Sequence, residues 1–422
     1  MRDASRRKFC LASLAGSASL VLLGGGIYGQ ASSSGGVHPD VAAIDHDRIL
    51  ATAGEAMGQP VQPITSVRAK RSPGMANDYY SEPEDFFPAE GADASFEARW
   101  VRRPNTVNPE AFALHRGLVY DLGRAVAALT AAFVVTTEIR YAARAAEHLR
   151  AWFIVPATRM TPSLQLAQKI PGTSTGRPDG VIETVPLAEV ARSVRFLAGS
   201  DALTAEELTA IRKWFSEYAA WMNESRTGGL ARDMKDQHGS SWLFQSASYA
   251  DANVTGLTSD DATLNALRHR FHSMTLRAEM TGTGIFPHVV SSPNPYRDCL
   301  FNLDLLCLAC ELMTTRFDNP WEFELQDGPG LRAALAFHYP AIANRAIWPY
   351  PADLTHFKDL PGRRISLLLA GRAYRHSEYV DLWRKLQPLP KDTAPELLRT
   401  FAVTQPLLWF IPPKTVIAPT RN

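Results

Sequence analysis

Arg297-Asp298-Cys299-Leu300-Phe301-Asn302-Leu303-Asp304-Leu305-Leu306-Cys307-Leu308-Ala309-Cys310-Glu311-Leu312-Met313-Thr314-Thr315 is apolar nearly all round when wound as a helix. Leu300, Phe301, Leu303, Leu305, Leu306, Leu308 and Leu312 leave it no broad solvent face, so neighbours must enclose it on every side. Segments elsewhere carry a single apolar stripe. Ile139, Ala142, Ala146, Leu149 and Phe153 step by three and four, and so do Leu208, Ile211, Phe215, Tyr218 and Met222. The second of these opens with Thr204-Ala205-Glu206-Glu207, a capping box in which Thr204 and Glu207 satisfy each other's backbone N–H groups. Further helices are expected near 41–57, 110–134, 184–199, 239–253, 258–276, 329–344 and 363–386. No sustained period-two alternation is present, so strands should be few. Wholly buried helices alternating with amphipathic ones, on short connections, predict an all-α fold with an inner and an outer ring of antiparallel helices. No repeat of fixed length argues for a regular solenoid.

The N-terminus stands outside that pattern. Ser5-Arg6-Arg7-Lys8-Phe9-Cys10-Leu11 is a twin-arginine motif, followed by an uncharged Gly/Ala/Ser/Leu stretch through Gly29. Gly29-Gln30-Ala31 offers small residues for cleavage after Ala31. The expectation is a twin-arginine signal peptide over residues 1–31, with a retained membrane anchor as the alternative. An N-terminal helix and linker follow over 32–77, the main domain over 78–405 and a tail over 406–422. Without the leader, which holds Arg2, Arg6, Arg7 and Lys8 against Asp3, net charge falls from +1 to about −2. No global charge attracts nucleic acid or a membrane surface, so an anionic ligand would need a local basic cleft. The remaining cysteines, Cys299, Cys307 and Cys310, are clustered and odd in number, which is a pattern of core thiols and not of a disulfide framework.

Chemistry concentrates in Lys235-Asp236-Gln237-His238-Gly239-Ser240-Ser241-Trp242. Gln237 and His238 fall at a helix N-terminus, where free N–H groups and the dipole favour negative charge. An amide and an imidazole there suit a carboxylate whose charge must be quenched; a plain helix start with a satisfied histidine is the other reading. The longest irregular stretch in the helical body, Ile170–Val181, carries Arg177. No Gly-rich phosphate loop, no carboxylate pair of definable spacing and no His/Asp cluster of metal-ligand spacing is present, so neither a metal nor a cofactor is expected.

Taken in order, these pieces resemble the alginate lyase superfamily, periplasmic polysaccharide lyases built as helical toroids. The resemblance runs from about Asp78 to Tyr339. It is carried by Asp78-Tyr79-Tyr80-Ser81 with Phe86-Phe87-Pro88, by Val101-Arg102-Arg103 with Asn108-Pro109-Glu110-Ala111, and by Arg140-Tyr141-Ala142 through Glu147-His148-Leu149-Arg150-Ala151-Trp152-Phe153. Pro156-Ala157-Thr158-Arg159-Met160 and Gln165-Leu166-Ala167-Gln168-Lys169-Ile170-Pro171-Gly172 continue it. Gln237-His238-Gly239 occupies the place of the family's Asn-His-Gly, and Phe301-Asn302-Leu303 that of its buried Phe-Asn-Leu helix. Tyr296 and Arg297 supply the family's residue types ahead of that helix at a shifted spacing, and Asp298 stands where the family usually has tyrosine.

The resemblance implies a lyase that removes the C5 proton of a uronate and expels the C4 oxygen. That proton becomes acidic enough only when the adjacent carboxylate is neutralised by preorganised donors. Gln237, His238 and Arg297 are the expected donors. Tyr296 is the expected acid–base group, with a tyrosine merely packed at a helix start equally open; if Tyr296 points away, His238 takes over as base. Gln168 and Arg177 are expected to meet substrate, and Tyr79, Tyr80 and Trp242 to stack on sugar faces, although each has an ordinary structural alternative. The expected partner is an acidic polysaccharide, either alginate or another polyuronate such as glucuronan, met in the periplasm. A glycoside hydrolase on a related toroid and a catalytically silent carbohydrate-binding relative are the competing readings.

Overall fold

The all-round apolar segment forms a helix, Pro295–Met313, that is buried over nearly its whole length, with Pro295 in its first turn where its missing N–H costs nothing. The computed structural model describes residues 36–91, 99–252, 261–388 and 393–413, all within one compact unit, Gly35–Asn422. The leader expected over 1–31 lies outside the described residues. The helices in chain order are α1 (Val41–Ile44), α2 (His46–Gly58), α3 (Leu114–Thr136), α4 (Ile139–Leu149), α5 (Pro186–Leu197), α6 (Ala205–Glu224), α7 (Arg226–Arg232) and α8 (Gln237–Ala252). They continue as α9 (Asp261–Arg270), α10 (Leu276–Glu279), α11 (Pro295–Met313), α12 (Leu331–Ala343), α13 (Ile365–Ala373), α14 (Ser377–Lys385), α15 (Pro395–Leu398) and α16 (Pro406–Phe410). Among the described residues the only sheet is a hairpin, β1 (Phe86–Pro88) antiparallel to β2 (Trp100–Arg102), with Phe87 opposite Val101.

Two layers follow from which helices touch. α3, α5, α8, α11 and α13 pack one on the next as an inner arc. α2 and α4 back α3, α6, α7 and α9 back α8, and α12 and α14 back α11 and α13. This is the inner and outer arrangement that the hydrophobic pattern predicts. α3 is long and apolar enough to cross a membrane, but most of it is enclosed by neighbouring helices. The capping box forms as expected, with Glu207 N donating to Thr204 Oγ1 and Thr204 N to the Glu207 carboxylate. Among the described residues, Cys299, Cys307 and Cys310 are buried free thiols.

Three expectations change. The helix expected over 363–386 is two, α13 and α14. The chain turns left-handed at Arg375 (φ 56°), and His376 N closes back on Gly371 O, a common way to end a helix. Asp45 likewise separates α1 from α2 within the expected 41–57 helix. The expected tail from residue 406 starts inside the core. Leu407, Leu408, Trp409 and Phe410 of α16 are buried against α13, α3 and α5, because four consecutive large apolar side chains cannot be left in water.

Candidate active site at the start of α8

Asp236 sets the local geometry. It stands just before α8, and its Oδ1 lies 3.0 Å from both the backbone N and Nδ1 of His238. The backbone contact is that of a helix N-cap, and the ring contact engages Nδ1 and leaves Nε2 as the other imidazole nitrogen. Nε2 has no hydrogen-bond partner among the described residues, and the side chain is 18% exposed. Burial acts to lower the His238 pKa, but the bond and charge of Asp236, with Asp179 and Asp298 adding, outweigh it and hold the imidazole above its usual value. Gly239 is required here: a Cβ would stand 2.1 Å from the Met234 carbonyl oxygen.

Two further segments meet this helix start. The 3-10 helix Pro178–Thr184 brings Asp179, which takes a 2.9 Å bond from Arg177 Nη2; the Arg177 guanidinium also lies 5.9 Å from the Phe86 ring centroid. Asp179 also acts electrostatically on Arg102 at the end of β2. The first turn of α11 brings Asp298, bonded to Arg297 Nε at 2.8 Å. Both Nη groups of Arg297 have no partner among the described residues, so its fork remains open to a carboxylate. Asp353 caps the same turn, accepting from the N–H groups of Tyr296 (2.8 Å) and Arg297 (2.9 Å). Burial pushes the Asp353 carboxyl up to about 6. Gln237 is half-buried at the first position of α8, its amide without a partner among the described residues.

Gln237 stands beside His238, and the aspartates paired with Arg177 and Arg297 are brought within electrostatic reach of that histidine. The aromatic candidates turn inward instead. Tyr296 is 0% exposed, donates its hydroxyl to Ala341 O at 3.0 Å, and packs edge-on against Trp348 and Phe357. Burial raises its pKa, so it is a core tyrosine and the expected acid–base role is corrected. Trp242 is 2% exposed with its indole N–H on Met222 O. Tyr79 and Tyr80 are equally enclosed, their hydroxyls held by Glu183 and Glu82. None of these three rings has a face free for a sugar.

Gln168, with φ 51°, donates Nε2 to Glu183 Oε1 at 2.8 Å. Glu183 is a buried hub that also accepts from Ser81 Oγ (2.5 Å) and Arg116 Nη1 (3.3 Å), while Arg116 reaches Glu84 at 2.5 Å. Gln168 thus serves this hub through its N–H group. Sequence reasoning missed Asp236, Asp179 and Glu183. Only Asp236 left a signal: an N-capping residue type two positions before a histidine at a helix start.

The alginate lyase family model matches residues 64–348 of this chain. No curated protein matches the sequence significantly. Among solved structures, an alginate lyase from Bacteroides ovatus is similar, with 22% identity and a TM-score of 0.73 over 85% of this chain and 94% of that one. A histidine-to-alanine variant of alginate lyase A1-III, complexed with a tetrasaccharide, gives 14% identity and a TM-score of 0.53 over 90% and 96%. At these identities the likeness is one of fold, the helical toroid.

Proposed function

Because this chain belongs to the alginate lyase family and is a polysaccharide lyase, we propose that it cleaves a uronate polymer, alginate or a relative such as glucuronan, by metal-free β-elimination with His238 as base. The observation that carries this reading is the Asp236–His238 pair, with Nδ1 held at 3.0 Å and Nε2 without a partner among the described residues. The Gln237 amide and the open Nη fork of Arg297 take up the negative charge that spreads onto the C6 carboxylate as C5 loses its proton. Nε2 accepts that proton as the C5–H bond breaks. The C4–O4 bond then breaks, a C4=C5 double bond forms, and the imidazolium returns the proton to O4. Arg177, whose Nη2 is held by Asp179 two positions along the chain, supports an adjoining sugar carboxylate.

One experiment tests the reaction: purified protein is incubated with a panel of acidic polysaccharides and followed for unsaturated uronate absorbance. Absorbance that appears with one polymer and vanishes in His238→Ala is the expected result. New reducing ends without absorbance would mean a hydrolase, which Asp179, Asp236 and Asp298 around His238 make a defined alternative. Binding without cleavage would mean a silent relative. Export by the twin-arginine route is part of the same proposal and rests on Arg6 and Arg7. Changing both to Lys should hold the unprocessed protein in the cytoplasm, and normal export of that variant would remove this part.

A further inference from the structure

Glu279 ends α10 with its carboxyl turned inward, 3% exposed. Its Oε2 accepts from Ser240 Oγ at 2.5 Å and from Asn302 Nδ2 at 3.4 Å. Ser240 is two residues past His238, in the first turn of α8. Asn302 lies on α11, the helix whose first turn presents Arg297 and Asp298. A Cβ at Gly239 would stand 3.3 Å from Glu279 Oε1, so the carboxyl lies directly against the backbone that follows His238. One side chain therefore joins three helices, two of which carry the site. The elimination itself makes no use of it, and a buried acid is costly unless its hydrogen bonds are made. Burial drives the Glu279 carboxyl up to about 8 against the opposing pull of Ser240 and Asn302, so at neutral pH it acts as an uncharged hydrogen-bonding group.

We propose that Glu279 is a positioning residue: by holding Ser240 and Asn302 it sets the first turn of α8, with the His238–Asp236 pair, against the Arg297–Asp298 start of α11. The proposal rests on His238 being the base, and its test separates the two. Full-length Glu279→Ala, Glu279→Gln and Ser240→Ala are compared for turnover, KM, thermal unfolding and the NMR titration of the His238 imidazole.

Since displacing a reacting group by about 1 Å costs on the order of 10² in rate, Glu279→Ala should lower kcat by about 10- to 100-fold with little change in KM. Its His238 titration should move from the wild-type midpoint. Glu279→Gln keeps acceptor and shape, so it should retain most of the turnover and the wild-type titration. Ser240→Ala should shift both readouts in the direction of Glu279→Ala, and it decides the matter if that variant does not fold. A folded Glu279→Ala with unchanged kcat and titration overturns the proposal, and so does Glu279→Gln being as damaging as Glu279→Ala. If the wild-type protein shows no lyase activity, the base assignment fails, while the His238 titration still judges Glu279.

Discussion

A histidine serves as a base when one ring nitrogen is held and the other is open, and Asp236 imposes that asymmetry on His238. Removing the imidazole in His238→Ala should lower kcat by about 10²–10⁴-fold, the usual range for one general base. Asp236→Asn keeps the N-cap and removes only the charge. The negative charge stabilises imidazolium, so its loss lowers the His238 pKa. The acid limb of the kcat/KM profile, where His238 must lose its proton, should then move to lower pH; a limb shifted upward would contradict the pairing. Tyr296→Phe should leave turnover close to wild type and cost about 1 kcal/mol of stability, the worth of one buried hydrogen bond to Ala341 O. A large loss of kcat in that variant would restore the tyrosine to the mechanism. His238 and Gln237 could be read from the sequence because a helix start beside a Gly announces itself locally. The orientation of Tyr296 could not, since it depends on Trp348, Phe357 and Ala341 arriving from distant segments.

Single elements behave as their sequences dictate where the forces are local. The Thr204–Glu207 box was visible in four letters, and Thr204→Ala should cost about 1 kcal/mol, seen as a lower urea midpoint at unchanged slope. The split between α13 and α14 was not visible, because Tyr374-Arg375-His376 holds neither Gly nor Pro and only the left-handed backbone of Arg375 marks the break. Glu279, at the end of α10, links an element to pH. Its folded pKa, about 8, lies above the ordinary 4.5, so the folded state holds this proton more tightly than the unfolded chain. The stability it contributes is complete below about pH 4.5 and is lost as pH rises toward 8 and beyond. Glu279→Gln cannot titrate and should therefore lose less Tm than wild type between these limits; parallel Tm curves would show that the carboxyl is not shifted upward.

At the scale of the molecule, the inner arc is closed off by residues that the sequence seemed to offer as a tail. Arg192 Nε donates to Leu408 O (2.9 Å) and Arg372 Nη1 to Phe410 O (2.6 Å), while Glu189 accepts from the N–H groups of Thr404 and Gln405. A chain ending at Thr404 would uncover the surfaces of three helices that Leu407, Leu408, Trp409 and Phe410 bury, and would remove the carbonyl partners of Arg192 and Arg372. It should lose near-UV circular dichroism and bind a hydrophobic dye, since each large core side chain removed costs about 2–5 kcal/mol. A native-like spectrum from that truncation would mean α16 is dispensable. The amino-acid order alone determined the helical class, the alternation of enclosed and one-faced helices, the capping box and the place of Gln237-His238-Gly239, because periodicity, capping and helix starts act over a few neighbouring residues. Tertiary structure alone decided that Tyr79, Tyr80, Trp242 and Tyr296 turn inward and that Asp179 and Asp298 stand around His238. The physical reason is that the deciding partners arrive from other segments, Ala341 for Tyr296, Met222 for Trp242, Glu183 for Tyr79, Asp179 and Asp298 for His238, and no local pattern encodes which of them meet.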